Sequence, residues 1–304
     1  MPLLARAAEG RLTLSLVILA STFLMGSSFV SGKILLTEGF PPFLLVGWRF
    51  LVAAIATLPL LWLEGDSLFA SLFPRHLRLK EACIVGLIGL AQTAAVMSLL
   101  FMAMRTISAS TAAILLFTNP VWVALAGRVF FAEPITASRW LGLLLGVVGI
   151  VMAVGTDVSL SSDLPAVQGL CYGLGAALCW AMATLINKRN HLPIGVWALS
   201  FWQMFIGSLV VLVVAGLMGE QWPEHITASQ WGWFFWLAIP ASTGSFGLWF
   251  VALRQGNAGR VSGFLFFAPL FAVLLSFALL NTHLSWLQGI GGALIAFSIW
   301  LVNR

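Results

Sequence analysis

The chain has 304 residues, of which 61% are hydrophobic and 8% are charged, and its formal net charge is +5 at pH 7. Because soluble proteins carry about 25% charged residues, this composition excludes a water-soluble fold and predicts an all-α membrane protein. The basic residues are scattered between apolar runs, which favours a role in orienting membrane spans over the binding of nucleic acid.

The apolar runs predict ten transmembrane helices, since a helical span needs about 20 apolar residues and charged residues, Pro and Gly punctuate the chain between such runs. In chain order, spans 1 to 10 are residues 12–35, 42–63, 82–104, 108–129, 137–155, 166–187, 195–217, 231–253, 259–280 and 285–302. The connecting loops are short and leave no room for a soluble domain. Span 1 is too long for a signal-peptide core, so we predict that it is retained.

The distribution of basic residues predicts the orientation of the spans. With the N-terminus in the cytoplasm, twelve Lys and Arg residues lie on the cytoplasmic side and two, Lys33 and Arg105, on the outer side. Arg49 lies within span 2. Both termini are therefore predicted to be cytoplasmic.

The second half of the chain repeats the first. Residues 101–120, "FMAMRTISASTAAILLFTNP", align without gaps on residues 250–269, "FVALRQGNAGRVSGFLFFAP". Each half holds five spans, and this odd number makes the second unit enter the membrane from the opposite side. The sequence thus predicts two inverted five-helix repeats, residues 1–155 and 156–304, an arrangement typical of transporters whose substrate binds near the bilayer midplane. Duplication of a stable bundle without transport is the alternative.

Three features together carry a family resemblance: the two five-span repeats, the G-S-x-F-V-x-x-K ending of span 1 (residues 26–33), and the prolines Pro120 and Pro269 in spans 4 and 9. They resemble the drug/metabolite transporter superfamily, and within it the EamA-type exporters. By size and aromatic content the chain looks most like the aromatic amino-acid exporters of that group.

The resemblance implies a bacterial inner-membrane protein in which spans 1, 3, 4, 6, 8 and 9 surround a central cavity, with spans 5 and 10 more peripheral. It also implies a secondary transporter that exports amino acids, above all aromatic ones such as phenylalanine and tryptophan. Other small metabolites and amphipathic drugs are the alternative substrates. The partners would be a small-molecule substrate and the lipid bilayer. The oligomeric state is left open, with a monomer allowed.

Polar side chains inside spans usually face a cavity or a neighbouring helix. Those here are Gln92 and Thr93 in span 3, Asn119 in span 4, and Ser242, Thr243 and Ser245 in span 8. The repeat alignment places the sets in spans 3 and 8 at equivalent positions. Gln92, Thr93, Asn119, Thr243 and Ser245 are therefore predicted to bind substrate, although hydrogen bonds between helices would also explain them.

Aromatic residues near the same depth could hold an aromatic substrate through ring contacts. The predicted contacts are Phe101, Trp180, Phe246 and Phe267, with helix packing as the alternative for each ring. Arg49 could attract a substrate carboxylate, or it could snorkel or form a structural pair.

The two mid-span prolines predict helix breaks, because proline cannot donate a main-chain hydrogen bond. Pro120 would free the carbonyl of Leu116, and Pro269 that of Leu265. In an inverted repeat the two breaks should meet at one central level.

Acids and histidines are missing from the interior of the spans: every Asp and Glu lies in a loop or at a span end, and His76, His191, His225 and His283 lie in loops. The sequence therefore predicts alternating access with facilitated diffusion rather than a carboxylate proton relay, proton coupling being the alternative. An intramembrane enzyme built on "STGSFG" (residues 242–247) would need a base at that depth. Neither a cofactor nor a metal site is predicted, since Cys83, Cys171 and Cys179 lack zinc-like spacing. A receptor without transport activity is a further alternative.

Overall fold

A computed structural model of the chain describes residues 2–62, 67–74, 77–131, 136–154, 164–190, 192–255, 267–282 and 285–302. His76, His191, His283 and residues 259–266 of predicted span 9 lie outside these ranges. The regular structure of the described residues is helical throughout, with a helix at each of the ten predicted spans.

The helices of the first half have the bounds Pro2–Thr37, Pro42–Leu61, Leu68–Leu72, Leu79–Ile88, Val96–Thr106, Ala109–Leu116, Asn119–Phe131 and Ala137–Val154. Those of the second half are Leu164–Arg189, Val196–Leu217, Ala228–Ala238, Ser245–Gln255, Phe267–Leu280 and Trp286–Val302. The first helix starts ten residues before predicted span 1, because Leu, Ala and Arg favour helix even where the chain is not apolar enough for a span. Within the described residues, six helices are long and apolar enough to cross a membrane.

Spans 3 and 8 are each interrupted by a π-helical segment, Gly89–Ala95 and Ile239–Gly244. When the repeat alignment of residues 101–120 is extended towards the N-terminus at the same offset, these two segments coincide to within one residue. The sequence predicted continuous helices here, because one extra residue in a helical turn leaves an apolar pattern nearly unchanged. Pro240 in the second copy is the only local signal. Single π turns of this kind are frequently found at functional sites.

Span 4 is interrupted just before Pro120. The helix Ala109–Leu116 ends in a turn at residues 117–118, and a new helix begins at Asn119. Pro120 is thus the second residue of a helix, where a missing N–H group costs little. In span 9 the helix Phe267–Leu280 begins two residues before Pro269, and Leu265 lies outside the described residues.

Contacts between the two halves occur in exchanged pairs. Span 1 packs on span 9, and its counterpart span 6 packs on span 4. Likewise, span 2 contacts the π segment of span 8, and its counterpart span 7 contacts the π segment of span 3. Spans 2 and 7 pack on each other, as do spans 5 and 10. This exchange is the pattern that a two-fold axis between the halves would produce.

The outer surface of the bundle is apolar. Leu144 and Val151 of span 5 and Phe277 of span 9 are about three-fifths exposed, at 63%, 65% and 59%. Soluble proteins rarely expose contiguous apolar surface of this extent, whereas lipid chains would cover it. Spans 5 and 10 lie outside the ring of helices that encloses the central cavity.

Candidate functional site

A cavity of about 120 Å³ lies between spans 1, 2, 3, 4, 6 and 8. Six of the residues singled out in the sequence line it together: Arg49, Gln92, Phe101, Trp180, Ser245 and Phe246. Span 2 is not among the cavity spans that the family resemblance implies, but it contributes both Phe50 and Arg49, the residue considered as a carboxylate contact. Span 9 contributes no described lining residue.

Thr93, Asn119, Thr243 and Phe267 are not among the described lining residues. Thr93 packs against span 7, where a Cβ at Gly207 would lie 2.5 Å from the Thr93 Cβ. The Thr243 hydroxyl donates a hydrogen bond of 2.8 Å to the carbonyl oxygen of Ala53 in span 2. Both threonines therefore join neighbouring helices.

Asn119 and Phe267 occupy two different environments. The side-chain oxygen of Asn119 is buried and accepts no hydrogen bond from a described residue. The ring of Phe267 lies 6.4 Å from that of Phe271 in the same helix, so it belongs to an aromatic contact of span 9.

Arg49 is the one charged side chain among the described residues that line the cavity, and it is 4% exposed. Its Nε donates a hydrogen bond of 2.9 Å to Oγ of Ser242. The guanidinium carbon lies 4.6 Å from the ring centroid of Phe50 and 5.6 Å from that of Phe101, within cation–π range. Arg49 therefore does not snorkel to the membrane surface.

The position of Ser242 in the π segment explains how its hydroxyl accepts the hydrogen bond from Arg49. Its hydroxyl donates a hydrogen bond of 2.8 Å to the carbonyl oxygen of Leu237, five residues earlier. With its proton committed to Leu237, the hydroxyl acts as an acceptor toward Arg49. The π segment thus presents an oxygen to span 2.

The charge of Arg49 is not neutralised by any carboxylate of the described residues. The hydrogen bond of its Nε to Ser242 is the one that its guanidinium donates to a described residue, and Arg49 lines the cavity. A buried charge that no opposite charge neutralises costs several kcal/mol.

Lys33, unlike Arg49, donates its hydrogen bonds to main-chain carbonyls at the end of a neighbouring helix. Its Nζ donates hydrogen bonds to the carbonyl oxygens of Met104 and Ile107, at the end of span 3. Carbonyls at a helix C-terminus carry partial negative charge. Lys33 therefore anchors span 1 to span 3, as expected for a span-end residue.

Aromatic rings cover a large part of the cavity wall. Trp180 meets Phe117 edge-to-face with ring centroids 5.8 Å apart, and Phe117 lies 6.2 Å from Phe29. Phe246 and Trp249 contribute from span 8. Among these rings the sequence interpretation overlooked Phe29 and Phe117, although Phe117 lies only two residues before Asn119.

A model of the EamA-like transporter family matches residues 12–155 and again residues 167–304. One solved crystal structure of another protein has a TM-score of 0.66 to this chain, covering 95% of this chain and 96% of the other at 16% identity. The predicted all-α membrane fold is thereby confirmed, and two matching segments are consistent with a repeat.

Several curated relatives are similar along nearly their whole length. An uncharacterized transporter of Synechocystis is 26% identical over 302 residues, covering 95% of this chain and 89% of the relative. The uncharacterized transporter YoaV of Bacillus subtilis is 25% identical, covering 93% and 94%. The uncharacterized inner membrane transporter YedA of Escherichia coli is 24% identical, covering 88% and 83%.

Proposed function

The chain belongs to the EamA-like transporter family, and we propose that it exports amino acids, with aromatic ones such as phenylalanine and tryptophan as substrates. As a member of that family it is an integral membrane transporter and not an enzyme. The observation that carries the proposed substrate is the placement of one guanidinium without a carboxylate partner among the described residues, Arg49, in a cavity walled by aromatic rings.

The chemistry of the cavity suits an aromatic amino acid part by part. The Nη groups of Arg49 would bind the carboxylate, since Arg is the preferred partner of planar anions. Edge-to-face contacts with Trp180, Phe101 and Phe246 would hold the ring, at about 0.5–1.5 kcal/mol each. The side-chain oxygen of Gln92 would accept a hydrogen bond from the amino group.

Alternating access would move the two halves about this cavity. The interruptions at Gly89–Ala95, Ile239–Gly244 and Pro120 are where the helices are least continuous, so bending would concentrate there. We further propose that the repeats are inverted, that both termini are cytoplasmic, and that the protein lies in the bacterial inner membrane, as its relative YedA does. A C-terminal reporter that is active only in the cytoplasm would test this orientation.

Transport would proceed by facilitated diffusion, because the sequence has no Asp, Glu or His inside a span to relay a proton. Purified protein in liposomes should therefore accumulate phenylalanine by counterflow without an ion gradient. Uptake that occurs only under an imposed pH gradient would favour the proton-coupled alternative.

The decisive experiment is counterflow of labelled phenylalanine into liposomes preloaded with unlabelled phenylalanine, with protein-free liposomes as the control. Competition by a panel of unlabelled solutes would rank the substrates. Competition by tryptophan and phenylalanine above all others supports the proposal. Purines or amphipathic cations competing while aromatic amino acids do not would instead support export of other metabolites or drugs.

A further inference from the structure

We propose that the cavity recognises a carboxylate and an aromatic group without requiring an amino group, so that aromatic monocarboxylates bind at least as tightly as phenylalanine. This inference rests on the proposed function, because it assigns a substrate class to the same cavity. It differs from the proposal of amino-acid export in one respect: the ammonium group of the substrate is not needed for binding.

Charge is the first argument. Arg49 is the sole ionisable side chain among the described lining residues, so their net charge is +1. A monocarboxylate brings the one negative charge that neutralises it. A zwitterionic amino acid brings an ammonium group as well, and this second cation repels Arg49 in a site of low dielectric constant.

Hydrogen bonding is the second argument. An ammonium group has three N–H donors that need acceptors when it leaves water. The Ser28 and Ser245 hydroxyls already donate to main-chain carbonyls of their own helices, at 2.7 Å to Met25 and 2.9 Å to Ala241. Their oxygens can still accept hydrogen bonds, as can the side-chain oxygen of Gln92, but all three are neutral and no carboxylate is present among the described lining residues. An ammonium group that leaves water therefore meets no opposite charge there.

The orientation of Arg49 is the third argument. Because Nε is committed to Ser242, the two Nη groups form the available edge of the guanidinium. That edge presents two parallel N–H donors, which match the two oxygens of a carboxylate. The described lining residues therefore offer a partner of opposite charge to an anion and none to a cation.

Size favours a phenyl group over the larger indole in this conformation. The cavity volume of about 120 Å³ is close to the ~150 Å³ of apolar cavities that accept benzene. A phenyl group fits this conformation, whereas an indole would require the cavity to enlarge.

The test compares three ligands of matched shape, which are phenylalanine, 3-phenylpropionate and 2-phenylethylamine, with the larger indole-3-propionate. Binding to the wild-type protein in detergent is measured by isothermal titration calorimetry. Direct binding avoids the leakage of weak acids through lipid. We expect 3-phenylpropionate to bind at least as tightly as phenylalanine, at least tenfold tighter than 2-phenylethylamine, and tighter than indole-3-propionate. Tenfold weaker binding of 3-phenylpropionate than of phenylalanine would overturn the inference.

Two variants locate the effect at Arg49. Arg49→Gln should weaken 3-phenylpropionate binding at least tenfold and leave 2-phenylethylamine no weaker than before. Arg49→Lys, which keeps the charge and loses the paired donors, should fall between wild type and Arg49→Gln. Equal binding of 3-phenylpropionate by all three proteins would contradict the assignment. The wild-type ligand series remains decisive even if a variant does not fold.

The two proposals fail in different ways. If phenylalanine is bound and transported while 3-phenylpropionate is not bound, the proposed function stands and this inference is wrong. If 3-phenylpropionate binds at Arg49 while phenylalanine neither binds nor exchanges, the inference stands and amino-acid export is wrong.

Discussion

Arg49 of span 2 and Ser242 of span 8 are joined by a hydrogen bond of 2.9 Å from Nε to Oγ, which links the two halves of the chain at the cavity wall. The same hydroxyl donates to the carbonyl oxygen of Leu237, so its lone pairs face the guanidinium. Ser242 touches the cavity only through Arg49, and its role is to position that side chain.

Replacing Ser242 with alanine should therefore weaken substrate binding more than it slows turnover. A hydrogen bond to a charged group contributes about 1.5–3 kcal/mol, so we expect the KM for phenylalanine to rise about tenfold in counterflow, with a smaller change in kcat. Ser242→Thr, which retains the hydroxyl, should restore most of the affinity.

The matched control for this variant is Ser208→Ala. Ser208 is also fully buried, but its hydroxyl donates to the Phe205 carbonyl of its own helix, and it does not line the cavity. This control should leave the KM unchanged. A KM for Ser242→Ala equal to that of Ser208→Ala would show that Ser242 does not position Arg49.

Gln92 and Asn119 should respond differently to replacement by leucine. Gln92 lines the cavity, so Gln92→Leu should reduce the initial rate of phenylalanine counterflow about fivefold or more, the cost of one lost hydrogen bond. Asn119 has a buried oxygen without a partner among the described residues. Asn119→Leu removes that unsatisfied atom, so the Tm in detergent should hold or rise and transport should persist. Loss of transport in Asn119→Leu with an unchanged Tm would place Asn119 in the substrate path.

The sequence predicts the number of spans well because apolar length sets it directly. The sequence also predicts four of the residues that line the cavity: Arg49, Gln92, Phe101 and Trp180. A charged, polar or aromatic side chain in the middle of a span usually faces the protein interior. What the sequence could not give is which side of a helix each residue occupies.

The π segments are the reason why the sequence does not predict which side of a helix each residue occupies. Each residue of an α-helix turns the chain by about 100°, so one additional residue in a turn redirects the side chains that follow. Thr243 lies within such a segment and contacts span 2, whereas Ser245, the first residue after it, reaches the cavity. An apolar run carries almost no record of this rotation, apart from Pro240 in the second copy.

The carboxylate of Glu220 ties the loop after span 7 to the start of span 2, and its removal should destabilise the fold. It accepts hydrogen bonds from the main-chain N–H groups of Leu44, at 2.7 Å, and Phe43, at 3.4 Å. An anion at a helix N-terminus contributes about 0.3–1 kcal/mol. Glu220→Gln should lower the Tm in detergent slightly, and Glu220→Ala should lower it further because the acceptor is also lost.

Glu224→Gln is the matched control for Glu220, since Glu224 lies in the same loop and is exposed. It should leave the Tm unchanged in the same buffer. High salt should reduce the difference between wild type and Glu220→Gln, because salt screens the interaction of a charge with the helix end. Equal Tm values for Glu220→Ala and Glu224→Gln would contradict the capping role.

Gly26 lies where span 1 closely approaches the main chain of span 9 in the other half, and Gly26→Ala should separate the two spans. A Cβ at Gly26 would lie 2.6 Å from the carbonyl oxygen of Ala268 and 2.9 Å from the main-chain nitrogen of Ala272. These are main-chain atoms of span 9, so they cannot move aside as a flexible side chain could. Overpacking of this kind costs about 1–3 kcal/mol, which should lower the Tm in detergent.

Gly86→Ala is the matched control, because Gly86 also lies within a helix but a Cβ there would meet nothing within 4 Å. In a helix interior alanine is more stable than glycine by about 0.5–1 kcal/mol, so the Tm of this variant should rise. Both substitutions add the same methyl group. A lower Tm for Gly26→Ala and a higher Tm for Gly86→Ala would therefore show that the contact of span 1 with span 9 causes the loss of stability. A rise in Tm for both variants would contradict this prediction. It would mean that spans 1 and 9 can separate by the width of a methyl group, so that their close packing does not fix the relative position of the halves.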